Sequence, residues 1–268
     1  NRLGEMFRDG IGVSVDKVKA ARWFREGARA GEEGARLAWA RALLEGEGTQ
    51  PQPDDGSALM AELAEGGNVE AQFELGQRYS RNDGVPLDAN KAIALLSAAA
   101  EAGRQGARLR LGEIWRDGIG VDIDLALAAG QFRLAAEEGD SWGQLAYGRA
   151  LLTGEGVAKD APAAAAMLGK AAAQGNAYAA FELGELLIAG ATGLPANPAE
   201  GREWLARAAA SDNAWAKFAY GRALVEGTGG AADPAMGLRM LEEAAASGDA
   251  SMLFHLGNLL SRDGAAGV

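Results

Sequence analysis

The stretch "RDGIGV" stands at residues 8–13 and again at 116–121, inside the longer matches "GEMFRDGIGV" from Gly4 and "GEIWRDGIGV" from Gly112. The copies lie 108 residues apart, three times 36, which predicts weaker copies between and beyond them. Sliding the sequence by 36 finds them. A Gly after a hydrophobic residue recurs at Gly4, Gly76, Gly112, Gly148 and Gly184, with Ala40 filling the gap. The register then slips by one, to Gly221 and Gly257, and the extra residue lies in "AGATGLPANP" at 189–198. A second Gly ends each unit at Gly31, Gly67, Gly103, Gly139, Gly175 and Gly248, with Asp212 as the exception. Six full units follow, 32–67, 68–103, 104–139, 140–175, 176–212 and 213–248, between a partial unit at 1–31 and another at 249–268.

Each unit reads as two helices. The first, as in "AQFELGQRYS" at 71–80, spaces Phe73, Leu75 and Tyr79 along a helical face. A Gly-rich elbow such as "GIGV" (118–121) or "GEGV" (154–157) stops it. An N-cap residue follows at Asp16, Asp88, Asp124, Asp160 or Asp233, or at Gln52 or Asn197. Its side-chain oxygen can accept an orphan N–H of the second helix, worth about 1 kcal/mol. Pro53, Pro198 and Pro234 sit directly after their caps, where no N–H is missed. Four residues past the cap the side chain is always small: Ala20, Gly56, Ala92, Ala128, Ala164, Gly201 and Gly237. That invariance predicts another backbone passing close by. Three and four residues later come large side chains, such as Trp23 with Phe24 and Trp204 with Leu205, expected to plug the groove between hairpins. "RDGIGV" is therefore an elbow. Its GxG is no phosphate cradle, because no strand precedes it and no Lys-Ser/Thr follows.

Composition narrows the function. Apolar residues make up 48%, ample for a core, and the net charge is −11. That charge argues against tracking nucleic-acid phosphates and against docking on anionic lipid. No apolar run approaches the ~20 residues that would span a bilayer, so no transmembrane segment is expected. There is no Cys, which removes disulfides, thiolate metal sites and a Cys nucleophile, and the single His is His255. Acids recur with the period, as caps (Asp88, Asp124) or at solvent positions (Glu101, Glu137), so no carboxylate pair stands out for catalysis. No cofactor, metal site or catalytic residue is expected.

These residues resemble the Sel1-like repeat, a tetratricopeptide relative of about 36 residues. Leu75-Gly76 with Tyr79 carries the pattern, as does Leu111-Gly112 with Trp115, Gly118, Gly120, Val121 and Asp124. The departures are Ala40 for Gly, Gln131 where Trp or Leu is usual, and Asn82 at a turn-Gly position. The resemblance implies an all-α, right-handed superhelical solenoid of stacked antiparallel helix pairs, acting as a non-enzymatic adaptor for proteins. It also implies a periplasmic or envelope-associated bacterial setting, with exopolysaccharide assembly or export, envelope signalling or cell polarity as pathways. A non-catalytic glycan-binding module of an exopolysaccharide system is the alternative, and a carboxylate-based polysaccharide hydrolase or lyase a distant third. By the same likeness the chain is expected to be a fragment. It opens inside a first helix and closes on an elbow, which would leave Leu256, Leu259 and Leu260 without a covering helix.

Two columns are candidates for holding a partner on the concave face that tetratricopeptide geometry implies. One is polar in all eight first helices: Glu5, Arg41, Gln77, Glu113, Arg149, Glu185, Arg222 and Asn258. Its signs alternate from Glu113 to Arg222, so neighbours in successive layers should attract and could form a mixed-charge floor. The other reads Gly34, Glu70, Gly106, Trp142, Tyr178, Trp215, Ser251. Its three consecutive aromatics are not demanded by the repeat. If exposed, they could grip a peptide or stack on sugar rings; if buried, they would only seal the seam between hairpins.

Overall fold

The computed structural model describes residues 1–211, 213–246, 248, 250, 252–254 and 257. The expectations for Asp212, Ser251, His255, Leu256, Asn258, Leu259, Leu260 and the final elbow lie outside these residues. The chain divides into two compact units, Asn1–Gln131 and Phe132–Val268.

In the first unit run α1 (Arg2–Asp9), α2 (Lys17–Arg29), α3 (Glu33–Glu45), α4 (Pro53–Glu65), α5 (Val69–Arg81), α6 (Ala89–Glu101) and α7 (Ala107–Asp117). Helix α8 (Leu125–Glu137) begins there and ends in the second unit. The second continues with α9 (Ser141–Thr153), α10 (Ala161–Ala173), α11 (Ala177–Ala189), α12 (Pro198–Ala209), α13 (Ala214–Glu226) and α14 (Pro234–Ala245). Odd-numbered helices are the first of each pair. From α1 to α7, and again from α9 to α14, each helix packs on its successor, so pairs stack on pairs. First helices also touch across neighbouring pairs, α5 on α7 and α11 on α13. The fold is all-α. Among the described residues the only β pairing is an isolated bridge between Ala191 and Leu194, inside the long 189–198 loop.

The caps stand where the spacing put them. Asp16, Asp88, Asp124, Asp160 and Asp233 each accept the backbone N–H three residues on, at 2.9–3.0 Å. Asn197 does so at 3.4 Å, whereas Gln52 holds the cap position without a side-chain bond, its amide being one methylene too long for the turn.

The small column is where the two helices of a pair cross. A Cβ on Gly201 would lie 2.7 Å from the Gly184 carbonyl oxygen, and one on Gly237 2.7 Å from that of Gly221. One on Gly56 would come 2.9 Å from the Ala40 oxygen. Close backbone approach is therefore the reason for this column. The facing Gly column of the first helix has a further reason. A Cβ there would strike the large side chain four residues past the small one: Gly76 under Leu96 at 2.8 Å, Gly184 under Leu205 at 2.8 Å, Gly221 under Leu241 at 2.9 Å.

The large residues thereby gain a second role. The later of the two, Phe24, Met60, Leu96, Phe132, Leu168, Leu205 or Leu241, is always buried, 0–4% exposed. It fills the space above its own pair's glycine. It also shares a core with the next pair's first helix, Met60 with Ala71 and Leu75, Leu96 with Ala107 and Leu111, Leu168 with Ala179 and Leu183, so it does plug between pairs as expected. The earlier one faces outward in part, and Trp23 is 43% exposed. Where the first helix has Ala40, the crossing has Gly56 and the plug is Met60, whose unbranched chain adapts to the extra methyl. No pair carries a methyl on both sides of its crossing.

The two "RDGIGV" elbows share one geometry, with φ of 72° and 75° at Gly10 and Gly12 and 65° and 68° at Gly118 and Gly120. In each, the Arg side chain grips the adjacent Asp with two hydrogen bonds, Arg8 to Asp9 at 2.7 and 2.8 Å and Arg116 to Asp117 at 2.7 and 2.9 Å. Their surroundings differ. A Cβ on Gly120 would come 2.9 Å from the Ala89 methyl of the preceding pair, and Ile119 and Val121 pack into that core. Ile11 is 59% exposed. The phrase encodes the turn, and the neighbouring pair supplies the burial. In the third elbow Asn82 replaces Gly at φ 55°, and its Oδ1 accepts the Leu87 N–H at 3.1 Å to close the loop.

Candidate interaction surface

The aromatic column lies wholly in the second unit. Trp142, Tyr178 and Trp215 are each the second residue of a first helix, α9, α11 and α13. The helix starts are pinned by caps that the sequence reading missed. Asp140 Oδ1 accepts from Trp142 N and Gly143 N at 2.8 and 2.9 Å, Asn176 Oδ1 from Ala179 N at 3.1 Å, and Asn213 Oδ1 from Ala216 N at 3.2 Å. The signal was present, since Asp140 and Asn176 directly follow the unit-ending Gly139 and Gly175.

With its backbone held this way, each ring leans outward. Trp142 is 51% exposed, Tyr178 50% and Trp215 42%. Trp142 and Tyr178 touch, with centroids 5.6 Å apart and planes tilted by 45°. Trp215 meets Phe218, one turn along its own helix, edge to face at 6.3 Å, and Phe218 is buried beneath it. The rings thus rest one flank on the protein and turn the other to solvent.

In the first unit the same column serves local structure. Glu70 pairs with Arg104 at 2.7 Å, and the Arg104 guanidinium lies 4.1 Å over the Phe73 ring. Gly106 takes φ 80° as the N-cap of α7. A Cβ on Gly34 would meet the Asn1 side chain at 2.9 Å.

Seven residues after each ring, two turns along the same face, stand Arg149, Glu185 and Arg222 of the polar column. Arg222 Nη2 donates to both Glu185 oxygens at 3.1 Å, pairing adjacent layers within the column as expected. Four other members take partners one turn away. Arg149 Nε donates to Glu182 at 2.7 Å, and Arg41 Nε donates to Glu74 at 2.8 Å. Glu113 accepts from Arg110 on its own helix at 2.5 Å, and Glu5 from Asn1 Nδ2 at 2.9 Å. The ladder therefore weaves between two adjacent columns. An i−3 charge such as Glu74 or Glu182 lies nearer a neighbour's Arg than the matching position does, and those partners were not singled out from sequence. The Glu74 carboxylate, hydrogen-bonded to Arg41, pushes that guanidinium further up in pKa, against the opposing effect of its burial.

The first unit holds a cleft of about 170 Å³ floored by Ala20, Ala21, Phe24, Ala38 and Ala42. Its rim charges are engaged in Lys17–Glu47, Arg41–Glu74 and Glu45–Arg78 pairs, so it presents a neutralised edge. Among the described residues no three His, Cys, Asp or Glu gather into a metal site, and no helix is long and apolar enough to cross a membrane.

Stacked helix pairs with an open, part-aromatic face make a helical-repeat scaffold. The family model described as Sel1 repeat matches residues 1–32, 69–103, 106–140, 143–176, 177–213 and 216–249, and the chain belongs to the Sel1 repeat family. The unmatched 33–68 contains the pair in which Ala40 replaces the usual Gly. Among solved structures, a protective antigen of uropathogenic Escherichia coli with an SLR fold is similar, at 28% identity and a TM-score of 0.82. That likeness covers 97% of this chain and 56% of the other, so the chain spans little more than half that protein's length. A Sel1 repeat protein from Oxalobacter formigenes is similar at 26% identity and a TM-score of 0.79, over 96% of this chain and 74% of that one. No curated protein matches the sequence. Sel1 repeat proteins are generally non-catalytic scaffolds that mediate protein interactions.

Proposed function

We propose that this chain is a non-enzymatic adaptor of a bacterial cell envelope, and that the first-helix face of its second unit is the partner-holding surface. The concave side implied by tetratricopeptide geometry would be this face. One observation carries the reading. Three successive layers each place a half-exposed Trp or Tyr at a position the first unit fills with Glu or Gly. Half-open Trp and Tyr bury much apolar area when a partner arrives, with little side-chain freedom to lose, which makes them frequent binding hot spots. Arg149, Glu182, Glu185 and Arg222 alongside would set the partner's register more than its affinity. The envelope setting, and exopolysaccharide assembly or export, envelope signalling or cell polarity within it, rest on family resemblance.

The test uses the partner that copurifies with the chain from envelope extract, followed by titration with purified components. Replacing Trp142 and Trp215 together by Ala should weaken that affinity by about 2 kcal/mol or more, roughly 30-fold. The melting temperature should barely move, because both rings are about half solvent-exposed. Unchanged affinity with a large fall in melting temperature would mean that the rings only seal the seam.

A further inference from the structure

We infer that the aromatic row on α9, α11 and α13 takes a proline-rich segment in the polyproline II conformation. This deepens the interaction-surface reading above and rests on it. Four features of the row select that ligand.

The first is shape. Trp142 and Tyr178 are in contact but tilted by 45°, so together they form an open notch in place of a flat platform. Consecutive pyranose rings stack best on coplanar surfaces, whereas a notch receives the ridge of a pyrrolidine. The second is chemistry. Trp indole N–H can only donate, and Tyr O–H can donate as well, while a run of prolines has carbonyl acceptors and no N–H at all. Ring faces and donors on one side thus meet pyrrolidine faces and acceptors on the other.

The third feature is what surrounds the rings. Their chain neighbours are Ser141 and Gly143, Ala177 and Ala179, Ala214 and Ala216. The Oδ1 atoms of Asp140, Asn176 and Asn213 are already accepting backbone N–H groups. A sugar presents several hydroxyls per ring, more than the Ser141 hydroxyl and the second Asp140 oxygen beside Trp142 can pair, and the neighbours of Tyr178 and Trp215 are all Ala. The fourth is period. Packed helices lie about 8–10 Å apart, and a polyproline II helix repeats every three residues, about 9.3 Å. A ligand crossing the first helices would present the same edge to each backbone layer, and Trp142 and Tyr178, leaning together to 5.6 Å, would meet it as one contact. About four to five residues would run from the Trp142–Tyr178 notch, between two layers, to Trp215 about one and a half layers on. Near the row, Arg149 with Glu182 and Arg222 with Glu185 balance each other, so no strongly charged ligand is called for.

The experiment titrates the 268-residue chain with four probes while following tryptophan fluorescence and amide NMR shifts. The probes are a decaproline peptide, a ten-residue apolar peptide without proline, a Gly/Ser peptide of equal length, and a neutral β-linked hexasaccharide. The expected result is saturable binding of decaproline, weakened at least about tenfold by Trp142→Ala and by Tyr178→Ala, with the other probes much weaker. Equal binding of the proline-free apolar peptide would overturn the polyproline assignment and leave the protein-interaction surface standing. Preference for the hexasaccharide would overturn both. If no probe shifts the spectra, the polyproline assignment fails, and the copurified partner's response to the Trp142 and Trp215 substitutions separately decides the surface.

Discussion

The two units repeat one helix grammar, yet they spend one column at the start of their first helices differently. In the first unit this column holds Gly34, Glu70 and Gly106, each explained by a contact or a backbone angle nearby. In the second it holds Trp142, Tyr178 and Trp215, whose outer flanks contact solvent. A repeat protein supplies its own internal control here. What one unit does without is not required by the fold, so a costly residue in the other asks for a reason outside it. The crossings make the complementary comparison. In the first unit each crossing has one methyl, as at Ala20, Ala92 and Ala128 or at Ala40. In the second, Gly148 faces Ala164 with one methyl, but Gly184 faces Gly201 and Gly221 faces Gly237 with none. That difference lies inside the fold and must be answered by it.

The crossing is the place to break the comparison hardest. Gly201→Ala sets a methyl 2.7 Å from a backbone oxygen that has no flexible end to move aside. Overpacking of this kind costs about 1–3 kcal/mol, against a helix-propensity gain of about 1 kcal/mol for Ala over Gly. At roughly 2–4 °C per kcal/mol for a chain of this size, a net fall of several degrees is expected. Ala92→Gly, at the same place in the first unit, meets no clash and should lose about 0.5–1 kcal/mol through backbone freedom and roughly 0.8 kcal/mol for its buried methyl. A rise in the melting temperature of Gly201→Ala in thermal scans would mean that the Gly–Gly crossings are not tight.

The aromatic column sharpens the comparison at lower cost. Glu70→Ala removes an exposed pair with Arg104 and should cost stability at most about 1 kcal/mol, leaving partner affinity alone. Tyr178→Ala at the equivalent place should do the reverse. Calorimetric unfolding and partner titration on both variants give four numbers. If Glu70→Ala lowers affinity as much as Tyr178→Ala does, the binding surface is not confined to the second unit.

Most of the fold could be read from the chain because each layer repeats the same solution. Period, caps, elbows and the small column are set by contacts local to one pair, and local contacts leave local signatures. The Gly column was legible as a position but not in its full cause, since the plug above it, such as Leu96 over Gly76, comes from the second helix. The ion-pair ladder was legible only in its Arg222–Glu185 rung. Arg149 and Arg41 reach diagonally to Glu182 and Glu74, because a long guanidinium chain has several acceptors within range and spacing alone does not choose among them. Ring exposure at Trp142 was likewise beyond the sequence, where a seam and an open stripe have the same pattern.

The smallest expected difference between the units is in acid. The forks of Arg8 on Asp9 and Arg116 on Asp117 belong to the first unit, whereas the elbows "GEGV" at 154–157 and "GTGG" at 227–230 have no such dipeptide before them. The hydrogen bond from Arg116 holds Asp117 below the usual carboxylate pKa, and Arg8 does the same for Asp9. Asp117 is the last residue of α7, where the helix end is itself negative and works against a carboxylate. The hydrogen bond and charge of Arg116 outweigh the opposing effect of the carboxylate's partial burial. A folded-state pKa below the unfolded one contributes stability that is fully present above the unfolded value of about 3.9. It is lost as pH falls through the folded value. Asp117→Asn should therefore lower stability slightly at pH 7, and the gap to the unaltered chain should close as pH drops below the carboxylate range. Both side chains are largely solvated, so added salt should shrink the gap at pH 7 as well. Urea unfolding at pH 7 and near pH 3 reads the difference directly. A gap of equal size at both values would remove the fork from the stability of the elbow and leave it only a role in the turn's shape.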